Sequence, residues 1–274
     1  MKKIVFKIQF VLFPFMVTPL LLLAQTRDSL GLIRQFMEVS NSYKQLPLYL
    51  EIEMKNTANF ITSEQDTLHA SGKFYLQPGS SYLQFGEIEQ WVTDSFAVLV
   101  SDKLQKIIIN TETRPMVDQM KALTGSLFRD SSILALAKKY KVESKTITGE
   151  TVIELNSRDL LYGSTLPKET IRMAYHSKTK KPMQVSSIKR ILVPLSEDDF
   201  KKLNEDREAK NWLLAIADKG FFLIKEQNTS FIYKAVMHEA NMKIPVAVSD
   251  RIVKNKNGEF EPVKAYQDYE ITTN

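Results

Sequence analysis

Leu48-Tyr49-Leu50-Glu51-Ile52-Glu53-Met54-Lys55 and Leu68-His69-Ala70-Ser71-Gly72-Lys73-Phe74-Tyr75-Leu76 decide the fold class of this chain. In each stretch apolar residues return at every second position, the period of a strand with one face turned to a core. Gln77-Pro78-Gly79-Ser80 follows as a turn signal. Working outward, Ser81 to Trp91 reads as a third strand, bulged at Gly86. Phe96 to Val100 and Leu104 to Asn110 read as a fourth and a fifth around Ser101-Asp102-Lys103. Five strands with short links predict an antiparallel meander and not βαβ units.

The flanks differ in period. Asp28 to Gln45 predicts a helix, with Leu30, Ile33, Phe36, Met37 and Tyr43 near helical spacing and Pro47 as its stop. Pro115 to Thr124 and Ser131 to Tyr140 predict two short helices, and Ser157 to Tyr162 a helical turn. Strands return at Val142–Thr148, Thr151–Leu155, Glu169–His176 and Met183–Val193, the last two joined by the polar loop Ser177-Lys178-Thr179-Lys180-Lys181. Ser196-Glu197-Asp198-Asp199 is an N-cap with acids in the first turn. It opens a charged helix over 196–210 that can continue through Trp212 to Ala217 before Gly220. Phe221 to Asn274 mixes short strands with a turn at Asn257-Gly258. The expected class is therefore α+β, a single domain over 26–274 with a charged helical segment near 196–217.

The N-terminus carries an address. Lys2, Lys3 and Lys7 precede an apolar stretch from Val11 to Leu23, no acid occurs before Asp28, and cleavage after Ala24 or Gln25 is expected. Pro14 and Pro19 interrupt that stretch, which disfavours a spanning anchor of about 20 apolar residues. Residues 1–25 thus read as a signal peptide and the mature chain as periplasmic. Of the 37 basic and 32 acidic residues three lysines fall in the leader, so the mature net charge is near +2 and not the +5 of the whole chain. That excludes the basic stripe nucleic acid needs. Cysteine is absent, so neither a disulfide framework nor a lipid-acylated cysteine is expected, and no stable membrane anchor.

No catalytic signature is present. His69, His176 and His238 lack metal-ligand spacing, there is no HExxH, no Gly-x-Ser-x-Gly and no glycine-rich phosphate loop. The acidic pairs Asp198-Asp199 and Glu205-Asp206 belong to a solvated helix face. Catalytic residues, metal ligands and cofactors are none. Tyr75, Tyr82, Phe85 and Trp91 read as cross-strand packing.

The order of helix, meander, two short helices and further antiparallel strands resembles the LolA/LolB-like fold of periplasmic lipoprotein carriers. Locally, Gly72-Lys73-Phe74-Tyr75-Leu76-Gln77-Pro78-Gly79 and Thr93-Asp94-Ser95-Phe96-Ala97-Val98-Leu99-Val100-Ser101-Asp102 resemble two of its segments, within residues 28 to 125. Ser95 stands where that family usually has glycine. The resemblance implies a curved antiparallel sheet, a half-barrel, wrapped around short helices. It also implies a non-enzymatic carrier with an apolar or acyl ligand in a cavity under the sheet. Leu50, Ile52, Met54, Phe74, Leu76, Leu83 and Phe85 are the inward candidates. The alternative is an ordinary filled core in a structural or interaction module of an envelope assembly, with the charged helix 196–210 as the contact for an envelope protein.

Overall fold

A computed structural model describes residues 29–41, 45–111, 130–239 and 243–274. The predicted signal peptide and the helix expected at Pro115–Thr124 lie outside these. Among the described residues thirteen strands form one open, curved sheet that carries three short helices, an α+β architecture.

The meander has six strands: β1 (Leu48–Ala58), β2 (His69–Gln77), β3 (Ser80–Phe85), β4 (Ile88–Thr93), β5 (Ala97–Ser101) and β6 (Lys106–Asn110). What the sequence suggests as one bulged strand from Ser81 to Trp91 is the hairpin β3–β4. Gly86, at φ +58°, turns the chain where a bulge was expected, because only a residue without Cβ adopts that conformation cheaply.

The second half contains β7 (Tyr140–Ile147), β8 (Glu150–Ser157), β9 (Glu169–His176), β10 (Pro182–Leu195), β11 (Leu213–Ile216) and β12 (Gly220–Met237). β12 runs antiparallel to both β1 and β10 and welds the halves into the order β15-β6-β5-β4-β3-β2-β1-β12-β10-β9-β8-β7. β13 (Ile252–Lys254) and β14 (Phe260–Pro262) form a separate hairpin around the expected turn at Asn257-Gly258. β15 (Glu270–Thr273) then joins β6 in parallel, so the sheet is mixed and not wholly antiparallel.

Two cores hold this sheet, on opposite faces. Helix α1, residues 29–41, places Ile33 and Met37 one turn apart, and α2 (Asp130–Lys139) adds Ile133. They bury Ile153, Leu155, Met173 and Tyr175 of the second half. On the other face of the meander, residues 243–274 lay Ile244, Val246, Ile252, Phe260 and Tyr266 over Tyr82, Trp91, Val98, Val100, Ile107 and Ile109.

Two expectations are corrected. Residues 157–162 form no helical turn; they bend toward an isolated bridge between Leu160 and Pro167. The charged helix is shorter than 196–217. α3 is Glu197–Glu205, capped where the Ser196 hydroxyl accepts from the Asp199 N–H at 3.1 Å. The Asp206 carboxylate then accepts from the N–H groups of Glu208 and Ala209, and Leu213–Ile216 pairs with β12 as a strand. Phe200 anchors α3 on Phe221, ring centroids 4.5 Å apart.

Candidate functional site

Pairing across β1, β2 and β3 sets Leu50 opposite Phe74 and Phe74 opposite Leu83. Ile52 lies opposite Gly72 and Gly72 opposite Phe85, while Leu48 faces Leu76 and Met54 faces Ala70. Directly opposed residues of antiparallel strands point to one face, so all seven inward candidates share a face. Leu99 and Ile108 continue it through β5 and β6. Through β12 it runs, at Phe231, Val185 and Met173, into the core that α1 covers.

These seven differ in burial. Ile52 is buried, but Leu50, Met54, Phe74, Leu76, Leu83 and Phe85 are only half-buried. Gly72 shapes the middle of the patch: a Cβ there would come within 2.7 Å of the Phe85 ring and 2.9 Å of the Phe74 ring. The missing side chain lets both rings lie over the strand.

The opposite face of the same strands is covered at one end only: Lys55, Ser71 and Lys73 on it are exposed, and closure begins at the aromatic residues. Tyr49, Tyr75, Tyr82 and Trp91 form a ladder with successive centroids 4.7, 5.8 and 5.0 Å apart. Tyr49 belongs to it and is buried, although alternation in β1 places it on the wet side. Phe85, grouped with these aromatics in the sequence, points away from them. The Trp91 indole donates to the Val246 carbonyl at 3.0 Å, and the Tyr82 hydroxyl donates to Glu89 at 3.0 Å. Arg251 grips the same carboxylate from the C-terminal segment through Nε at 2.9 Å and Nη2 at 3.2 Å. Burial, and then the Glu89 charge beside it, push the Tyr82 phenol well above its ordinary value, which keeps it a neutral donor.

In the second half the coverage is reversed. The helices close the face continuous with the seven candidates, and the other face is open. A cavity of about 600 Å³ lies there, lined by Lys145, Glu154, Arg172, Gln184, Ser186 and Asn228 among others; none of the seven candidates lines it. Its lining is mixed: Val152, Ala174 and Ile188 stand among the charged and polar side chains. Arg172 Nε lies 2.5 Å from Glu154, to which Asn156 also donates at 2.7 Å. Burial raises the Glu154 carboxyl, but the bonds from Asn156 and Arg172 outweigh it and leave the group below the ordinary range.

A buried ion pair escaped sequence reasoning. The Asp66 carboxylate accepts from Lys225 Nζ at 2.6 Å, Gln227 Nε2 at 2.8 Å and the N–H groups of Thr62 and Ser63. Lys225, the Thr62 N–H and Gln227 hold the carboxyl far below its usual range against the opposing effect of burial. The pair clamps the β1–β2 loop onto β12 across 159 residues, a separation at which no local pattern marks the partners. His69, exposed, meets Glu53 at 2.5 Å, and His238 meets the Gln45 carbonyl at 2.9 Å. No cluster of three or more His, Asp or Glu that could hold a metal occurs among the described residues.

No family model matches the chain, and no curated protein matches it. Among solved structures, it is similar to a LolA superfamily protein from Nitrosomonas europaea, at 8% identity and a TM-score of 0.26, over 77% of this chain and 94% of that one. Likeness at that level supports no functional conclusion, which has to come from the sheet itself.

Proposed function

We propose that this protein binds an apolar, acyl-type ligand on the half-covered sheet face of Leu50, Ile52, Met54, Phe74, Leu76, Leu83 and Phe85, as an exported periplasmic carrier and not an enzyme. One observation supports the reading: six apolar side chains in register across three strands, Leu50, Met54, Phe74, Leu76, Leu83 and Phe85, stay half-buried on one shared face. Apolar side chains gathered on one open face mark an interaction site. A chain laid on that face leaves water and gains about 0.8 kcal/mol per buried methylene.

Binding of a fluorescent fatty-acid probe tests this. The wild type should bind at micromolar concentration, with little dependence on salt, because apolar burial is not screened. Leu50→Trp and Ala70→Phe should weaken binding while unfolding stays cooperative. Organic extraction of protein recovered from cells, followed by mass spectrometry, should release lipid, and intact mass should show loss of residues 1 to 24 or 25. No probe binding and a clean extract would reject the carrier and leave the interaction module.

A further inference from the structure

We propose that the paired tips of the β7–β8 and β9–β10 hairpins are a docking surface for an anionic lipid bilayer. The two tips are one unit. The Ser177 N–H donates to the Gly149 carbonyl at 2.8 Å, and the hydroxyls of Thr151 and Ser177 lie 2.8 Å apart. Each turn is tight: Thr148, Gly149 and Lys180 have φ of +46°, +87° and +57°, and the Lys180 N–H donates to the His176 carbonyl at 2.8 Å.

The unit displays charge. Lys145, Lys178, Lys180 and Lys181 are exposed, and none forms an ion pair with another described residue. Residues 145–151 and 176–183 hold one acid against these four lysines, the half-buried Glu150. Glu143 lies farther along β7, 2.7 Å from Lys141. The ammonium of Lys180 sits 5.1 Å from the Tyr175 ring centre, which holds that side chain at the tip. Two exposed apolar side chains flank the lysines, Ile147 at 55% and Met183 at 41% exposure.

This combination fits one partner. Lysines beside an anionic membrane are attracted by its surface potential within about a Debye length. An isoleucine and a methionine next to them can leave water among the headgroups. Four exposed lysines against one half-buried acid concentrate positive charge at these tips. The contact would be reversible, since no helix of the described residues is long and apolar enough to cross a membrane. It does not rest on ligand binding.

Co-sedimentation with vesicles tests it, using protein recovered from cells with identical N-termini across variants. Vesicles of equal phosphatidylglycerol and phosphatidylcholine should capture the wild type at 0.1 M salt, and capture should fall sharply at 0.5 M. Phosphatidylcholine alone should not capture it. Replacing Lys178, Lys180 and Lys181 together by Gln should lower partitioning on the order of 100-fold, at about five-fold per lysine. Ile147→Ser should lower it further. Lys201, Lys202 and Lys210 replaced together by Gln remove the same charge around α3 and should change little. Equal binding by both triple variants, capture that ignores salt or headgroup charge, or no capture would overturn the docking surface. Circular dichroism and the fatty-acid probe separate the readings: probe binding without vesicle capture removes this proposal alone, and vesicle capture without probe binding removes the carrier alone.

Discussion

At the scale of single residues, the meander tests its own two faces. Trp91 is sealed beneath the C-terminal segment with its indole bonded, and Trp91→Ala should cost about 3–5 kcal/mol. Phe74 keeps part of its ring in water, so Phe74→Ala should cost only about 1–2 kcal/mol, a fraction of the transfer term. Lys73 is exposed on the neighbouring position, and Lys73→Ala should stay within about 0.5 kcal/mol of wild type. Urea midpoints of the three variants decide; a loss at Phe74 equal to that at Trp91 would mean that the patch is a packed core. Period-two alternation made the shared face of Leu50, Ile52, Phe74 and Leu76 legible. It could not show which face the C-terminal segment covers, because that depends on residues more than 150 positions away, such as Val246 over Trp91.

At the scale of elements, the C-terminal segment acts as a strap, fastened to β4 by Arg251 on Glu89 and stacked on the Tyr266 ring at 4.8 Å. Removing one partner leaves a largely buried carboxylate without its cation, so Arg251→Met should destabilise by about 2–4 kcal/mol. Hydrogen exchange should show β13, β14 and β15 losing protection before β1 to β5 do. Uniform loss across the whole meander would refute the strap. The same scale explains the shortened helix. Trp212 to Ala217 is a short apolar run, which periodicity cannot assign to helix or strand. Pairing of Leu213–Ile216 with β12 settles it as strand. The N-cap at Ser196 was legible because capping chemistry is local.

At the scale of the molecule, pH should narrow stability from both sides. Asp66, Glu154 and Glu169 have carboxyls held below their ordinary values in the fold, by Lys225, by Asn156 and Arg172 against burial, and by Tyr140 respectively. Groups depressed on folding contribute stability that is present above their unfolded values near 4 and lost as pH falls through the folded ones. Tyr82, Tyr140 and Tyr175 are raised, first by burial, so their contribution is present below about 10 and lost as pH climbs past it. The urea midpoint should thus be flat from about pH 5 to 9, fall toward pH 2 and fall again above 10; a maximum near pH 3 would contradict the ion pairs. The sequence by itself determined the α+β class, the meander and the common face of the seven candidates, since period two and turn residues act over a few positions. Only the tertiary structure decided that β3 and β4 are separate strands and that β15 joins β6 in parallel. It alone brought Asp66 to Lys225 and Glu89 to Arg251, and left the sheet covered on opposite faces in its two halves. Each of those outcomes depends on which distant segment reaches a given face first, and a local pattern holds no information about that.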